Sequence, residues 1–143
     1  MSEQKIIIQE YTTLPEGARA IRTTVFVDEQ GFVEEFDTQD REAYHLILFV
    51  GEEAACCCRY FTGEEEGAYI LGRLATLNQY RGQAFASKIV QEAEVRVKEH
   101  GGSSIALHAQ VRAQEFYEKN GYTAYGEIEL EEGVPHIWMK KSW

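Results

Sequence analysis

The stretch Leu74-Ala75-Thr76-Leu77-Asn78-Gln79-Tyr80-Arg81-Gly82-Gln83-Ala84-Phe85-Ala86 joins a strand to a helix. Leu74 to Leu77 closes an apolar run that starts at Ala68, the pattern of a buried strand. From Gln83 to His100, the residues Phe85, Ala86, Ile89, Val90, Ala93 and Val97 recur at helical spacing. Gly101-Gly102 supplies the stop. A strand, a small-residue turn and a helix N-terminus together make an anion site. The first helical turn has unpaired N–H groups and the positive end of the helix dipole. Small residues let the backbone approach a ligand closely. Arg81 adds a charge-assisted fork to the same anion. From this segment alone, a phosphate-bearing ligand and an ordinary strand–helix turn are both open readings.

Working outward, Lys5 to Tyr11 reads as a first strand. Thr13-Leu14-Pro15-Glu16 has the spacing of a capping box, and Ala18, Ile21, Val25 and Phe26 follow on one helical face to about Gln30. Residues 31–43 are polar and acidic, so they read as loop or short helix. Tyr44 to Val50, Ala54 to Phe61 and Ala68 to Leu77 are joined by short turns, as in an antiparallel meander. Ser103 to Ala109 reads as a strand and Val111 to Asn120 as a short helix closed by Gly121. Tyr122 to Glu131 and His136 to Lys141 pair about Glu132-Gly133-Val134-Pro135. The helix after residue 83 connects two strands expected to be parallel neighbours. The fold class is therefore α/β (α+β), a mixed, mostly antiparallel sheet of about seven strands with helices on both faces. It is not a doubly wound fold.

The chain has 143 residues, which predicts a single domain over 1–143 with a substantial core. Lys plus Arg is 14 and Asp plus Glu is 24, a net charge of −10. Such a surface repels phosphate backbones and anionic lipid, so neither nucleic acid nor membrane is expected as a partner. No apolar run approaches the roughly 18 residues that span a bilayer, and no signal-peptide pattern opens the chain. A cytoplasmic location is expected. Cys56, Cys57 and Cys58 are consecutive and expected to be reduced. In a strand, Cys56 and Cys58 face one side and Cys57 the other. No Cys-x-x-Cys or His-x-x-x-His spacing occurs, so no metal is expected.

Three matches, taken in order, carry a resemblance to the GNAT superfamily of N-acetyltransferases. Arg81 to Ala86 is similar to that family's Arg/Gln-x-x-Gly-x-Gly/Ala motif at its first and last positions. Gln110-Val111-Arg112-Ala113-Gln114-Glu115-Phe116-Tyr117-Glu118-Lys119-Asn120-Gly121-Tyr122 resembles Asn-x-x-Ala-x-x-Phe/Leu-Tyr-x-x-x-Gly-Phe/Tyr, with Gln110 in place of Asn. Arg22 to Gln30, together with Gly133-Val134-Pro135-His136-Ile137, is similar to the small bacterial ElaA-like branch. The resemblance covers nearly the whole chain. Its departure is Ala84, where the family has its central glycine. In ordinary right-handed helical conformation Ala gains about 1 kcal/mol in helix propensity over Gly, and the N–H donors survive.

The resemblance implies an enzyme that moves an acetyl group from acetyl-coenzyme A, as co-substrate, to a primary amine by direct attack. The acceptor is a small molecule or a protein amine, and a second copy of the chain, as a homodimer, is among the expected partners. Backbone of Leu74, Ala75 and Thr76 would pair with the pantetheine amides. Arg81, Gly82, Gln83, Ala84, Phe85 and Ala86 would take the pyrophosphate. Gln110, Ala113 and Phe116 complete the expected cofactor set. Tyr117 matches the tyrosine that protonates the leaving thiolate. A free alkylamine has a pKa of about 10.4, so presenting it neutral at pH 7 costs about 4.6 kcal/mol and a base is useful. Glu29 is taken as that base; His45, His108 and His136 are the other candidates. Arg73, on the cofactor strand, faces either the acceptor or a surface ion pair. The alternative function is a non-catalytic acyl-CoA-binding or sensing module.

Charge divides along the chain. Residues 73–98 carry Arg73, Arg81, Lys88, Arg96 and Lys98 against Glu92 and Glu94, a local +3. Residues 28–42 hold seven acids and only Arg41, a local −6. That run is expected to be either a solvated loop or a lure for a cationic amine.

Overall fold

The computed structural model describes residues 5–33 and 36–143. Seven strands form one sheet: β1 (Ile6–Tyr11), β2 (Tyr44–Val50), β3 (Glu53–Thr62), β4 (Ala68–Thr76), β5 (Ser104–Gln110), β6 (Thr123–Glu131) and β7 (Val134–Ser142). Their order across the sheet is β1-β2-β3-β4-β5-β7-β6. Every pair is antiparallel except β4–β5, which the helix α2 (Phe85–Glu99) connects. The expected mixed sheet and its one parallel pair are both present.

Alternation along the strands sends side chains to two cores. Leu46, Leu48, Cys56 and Cys58 pack with Ile89, Val90, Ala93 and Val97 of α2. Ile47, Cys57 and Ala75 pack with Ala18 and Ile21 of α1 (Glu16–Arg22) and with Val25 and Phe26 beyond it. Each fully buried Leu or Ile here contributes about 1.5–3 kcal/mol by leaving water. The three cysteines are free and buried, and they divide between the faces as period two requires. Burial pushes the Cys56 thiol up to about 11, so it stays protonated.

Local details differ from the sequence reading. The Thr13 capping box does not form: extended Pro15 is the N-cap, and its carbonyl accepts from Arg19 N at 3.1 Å. Proline's fixed φ already presets the helical entry. The first helix continues to Glu29, but Thr23–Glu29 is π-helical. The wider turn lets Val25 and Phe26 stay buried while Glu29 and Gln30 reach toward other elements. Residues Thr38–Arg41 form a 3-10 turn whose Asp37 and Asp40 make a reciprocal capping box. The last hairpin turns on Glu132-Gly133, and β7 begins at Val134 rather than His136.

One irregularity positions everything that follows. β3 and β4 shift register between Cys57 and Arg59, with an extra residue on the β4 side. There Arg73 takes a left-handed φ of 51°. Such a bulge bends and twists its strand. β4 and β5 accordingly pair only over Ala68–Ile70 and Ser104–Ala106, and beyond that they part. Gly72 within a strand pattern is the sequence signal for such a bulge.

Candidate active site

The parting of β4 and β5 opens the sheet. On one side lies a cavity of about 540 Å³ walled by Arg59, Arg73, His108, His136, Trp138 and Asp37. On the other lies a cleft of about 430 Å³ bounded by Glu29, Thr76, Arg81, Ala86 and Phe116. Both hollows share Gln30, Leu74, Arg112, Ala113 and Tyr117. These five residues stand where the two spaces meet.

The cleft is built from the β4 edge and the start of α2. Beyond Ile70, β4 presents backbone that β5 does not pair. The side chains of Ala75 and Thr76 are occupied elsewhere: Ala75 is buried on the α1 face, and Thr76 Oγ1 donates to Cys56 Sγ at 3.2 Å. The turn into α2 runs through Gly82 at φ 81° and Ala84 at φ 64°. The sequence reading put Ala84 in right-handed conformation; it is left-handed and forms the N-cap of α2. The tight reversal from β4 into α2 requires positive φ there, which costs Ala roughly 1–2 kcal/mol and costs Gly nothing. No side chain caps the α2 N-terminus. The backbone N–H groups of its first turn therefore face outward without an intrahelical acceptor. Gly82 and Gln83 are exposed in this turn, while the Phe85 ring is buried against Tyr80 at 6.3 Å. Only the Phe85 main chain is available to a ligand.

Arg81 reaches across this turn. Its Nε donates to Thr76 O at 2.9 Å, and its Nη2 lies 3.0 Å from both Glu29 carboxylate oxygens. The structure thus sets Glu29 on the cleft side, paired with Arg81, and not in the wall of the larger cavity.

Gln110 ends β5 and is fixed from two sides. It donates to Gln30 Oε1 at 2.9 Å and accepts from Arg112 Nε at 2.7 Å. Val111–Ala113 then make a 3-10 turn into α3 (Gln114–Lys119). Tyr117 of α3 is buried, edge-on to Phe116 at 5.0 Å and to Tyr122 at 6.0 Å. Burial, then the adjacent Cys58 and Cys56, push its phenol pKa well above the usual value. It holds its proton at neutral pH.

The larger cavity has an ionic wall that sequence reasoning missed. Arg22 and Arg59 both hold Asp40, at 2.7 and 2.9 Å. Arg59 also holds Asp37 at 2.5 Å, and Arg73 reaches Asp37 at 3.2 Å. Burial raises the Asp40 pKa, but hydrogen bonds and charge from Arg22 and Arg59 outweigh it and bring it to about 2. Of the acidic run at 28–42, Glu34 and Glu35 lie outside the described residues. Glu29, Asp37 and Asp40 are each neutralised by arginine. Asp37 and Asp40 of that run thus brace the cavity wall, while Glu29 pairs on the cleft side. No spacing rule reveals such pairs, because the partners are 18 to 36 residues apart.

Opposite this wall stand His108, His136 and Trp138. Register places His108 across from Trp138, and Gln110 across from His136. His45 lies elsewhere: buried in β2, its Nε2 bonds the Asp40 carbonyl at 2.9 Å. Among the described residues no group of three His, Cys, Asp or Glu side chains is arranged to hold a metal, and no helix is long and apolar enough to cross a membrane.

A split parallel pair, an open helix N-terminus and a buried tyrosine where two hollows meet define an acyl-transferring protein of the GNAT type. The family model described as an acetyltransferase (GNAT) domain matches residues 9–143. The chain belongs to that acetyltransferase family. It is 31% identical over 140 residues to the uncharacterized N-acetyltransferase YjcF of Bacillus subtilis, covering 96% of this chain and 99% of that one. Its fold is similar to Escherichia coli ElaA, with a TM-score of 0.86 at 22% identity over 96% of this chain and 100% of that one. It is also similar to an aminoglycoside 6'-N-acetyltransferase solved with coenzyme A, with a TM-score of 0.76 at 17% identity over 95% and 96% of the two chains. At these identities the two solved structures speak to the fold.

Proposed function

We propose that the chain, acting as a single domain over 1–143, transfers an acetyl group from acetyl-coenzyme A to a primary amine within one ternary complex. The observation that carries this reading is the junction of cleft and cavity at Tyr117, Leu74 and Ala113. Acetyl-coenzyme A fits the cleft by its chemistry. The unpaired β4 edge at Leu74 to Thr76 offers main-chain groups to an extended amide chain. The turn at Gly82 to Ala86 offers main-chain N–H groups and a helix N-terminus to a pyrophosphate. Arg81 stands beside that turn. Ala113 and Phe116 close the cleft on the far side from β4, while Gln110, expected with them, lines the larger cavity.

Acetyl-coenzyme A supplies the activated acyl thioester. The residues of the chain do the rest. Main-chain groups on β4 hold the acyl end at the junction, where Tyr117 waits with its proton retained. Tyr117 donates that proton to the leaving sulfur. The cavity of Arg59, Arg73, His108 and His136 receives the acceptor and orients its nitrogen toward the junction. Placing two reactants in one geometry removes much of the entropic barrier to a bimolecular step.

Calorimetry with acetyl-coenzyme A, followed by mass-spectrometric product detection across a panel of amines, tests the reading. Micromolar binding with amine acetylation supports it. Binding without any acetylated product would leave a non-catalytic acyl-CoA-binding module. Neither heat nor product would remove both.

A further inference from the structure

We infer that His108 is the catalytic base that takes the ammonium proton from the acceptor amine, with Glu131 passing that proton to the cavity mouth. The inference rests on the acetyltransfer reading above and assigns to His108 the role that the family resemblance gave to Glu29.

Three observations carry it. First, position. His108 lines the cavity assigned above to the acceptor, whereas Glu29 lines the cleft and His45 lines neither. Second, its hydrogen bonding is incomplete. His108 Nε2 is buried and has no hydrogen-bond partner, the nearest carboxylate being Glu129 at 3.5 Å. A ligand N–H would supply the hydrogen bond that this buried atom lacks. Third, the ring is held. It stacks on Trp138 at 4.8 Å and lies 4.9 Å from His136.

An exit for the proton is also present. Glu131 Oε2 stands 3.8 Å from His108 Nδ1 and 3.2 Å from His136 Nε2. His136 Nδ1 donates to Val134 O at 2.8 Å, so in the neutral ring Nε2 is the bare nitrogen facing Glu131. The Glu131 side chain is 49% exposed, which puts it in contact with bulk water. Burial holds the His108 pKa below its usual value; His136 acts the same way, and Glu131 and Glu129 oppose. The ring is neutral at pH 7 and can accept a proton. The other charged groups around the cavity are Arg59, Arg73 and Asp37 opposite, Arg112 at the junction and Glu132 on the turn. Lys140 follows on the same face of β7.

The protons balance. An ammonium acceptor must lose two. The first passes to His108 and leaves by way of Glu131 to water. The second leaves nitrogen as the N–C bond forms and the C–S bond breaks. Tyr117 protonates the sulfur and is restored by that second proton. No oxidant, reductant or further reactant is needed.

The test uses the whole chain with acetyl-coenzyme A and the fastest acceptor from a panel of primary alkylamines, polyamines and amino acids. Imidazole titration by NMR gives the His108 pKa directly, with no acceptor present. The pH profile of kcat/KM gives the kinetic pKa. His108→Gln is expected to lose 10²-fold or more in kcat and to lose the acidic limb, with acetyl-coenzyme A affinity unchanged. Glu131→Gln should move both the NMR and kinetic pKa down, and His136→Gln should move both up. These two variants keep the test open if His108→Gln folds poorly. A wild-type chain that turns over while His108→Gln keeps its acidic limb and its rate within threefold overturns the assignment alone. So do limbs that ignore Glu131→Gln and His136→Gln. A wild-type chain that acetylates nothing in the panel overturns the acetyltransfer reading and this assignment with it.

Discussion

Glu29 and Arg81, 52 residues apart, meet with both carboxylate oxygens 3.0 Å from Arg81 Nη2, at the mouth of the cleft beside the α2 N-terminus. An incoming pyrophosphate competes with Glu29 for the same guanidinium and meets its negative charge. The pair is exposed, so it is worth under about 1 kcal/mol. Glu29→Gln should therefore tighten coenzyme A binding by about two- to fivefold at low salt, the gain shrinking as salt is raised. Isothermal calorimetry at two ionic strengths reads this. Weaker binding in the variant would show that Glu29 orients Arg81 for the ligand instead of competing with it.

Tyr117 sits at the only junction between cleft and cavity found among the described residues. Its ring fills a core position, and phenylalanine preserves that volume. Tyr117→Phe should lower kcat about 10²-fold and leave coenzyme A affinity and melting temperature near wild type. Steady-state kinetics beside a thermal melt separate the two effects. A variant with full kcat would take proton donation away from this residue.

Ala84 has φ 64° at the N-cap of α2. Ala84→Gly removes the Cβ clash of left-handed backbone, at the cost of a more flexible unfolded chain. The net expectation is a gain of up to about 1 kcal/mol, read as a rise of about 3 °C in Tm for a chain of this size. The N–H donors are untouched, so coenzyme A affinity should hold or improve. A fall in Tm would mean that the turn relaxes Ala84 into allowed backbone.

Acid should unfold the protein in two steps. Burial holds the His45 pKa below 6.5, so the unfolded chain takes up this proton first and stability declines as pH falls below that value. Asp40 has a folded pKa of about 2 against 3.8 for an unpaired group. Its contribution is full above 3.8 and is lost as pH falls toward 2, on the order of 2 kcal/mol. Urea unfolding from pH 7 to pH 2 should show both declines. Asp40→Asn should shrink the second decline, Asp37 keeping its share, while lowering stability throughout, because buried Arg22 and Arg59 then lose the Asp40 carboxylate. An unchanged slope below pH 4 in that variant would assign the acid loss to other carboxylates.

The sequence by itself determined the element order, the two cores and the strand-to-helix turn that borders the cleft. These follow from local rules. Period two sends Cys56 and Cys58 one way and Cys57 the other; period 3.6 aligns Ile89, Val90, Ala93 and Val97. Arg81 to Ala86 and Gln110 to Tyr122 are contiguous, so their patterns survive without knowledge of the fold. The tertiary structure alone decided which side chains line the larger cavity. The π-helical run at Thr23–Glu29 swings Glu29 onto Arg81. The bulge at Arg73 parts β4 from β5 and opens the cavity. His108, His136 and Glu131 meet only because β7 lies between β5 and β6. Ala84 took the backbone that the strand-to-helix reversal required, against its own preference. In each case the deciding interaction joins residues far apart in the chain or imposes strain from outside. No window of neighbouring residues contains that information.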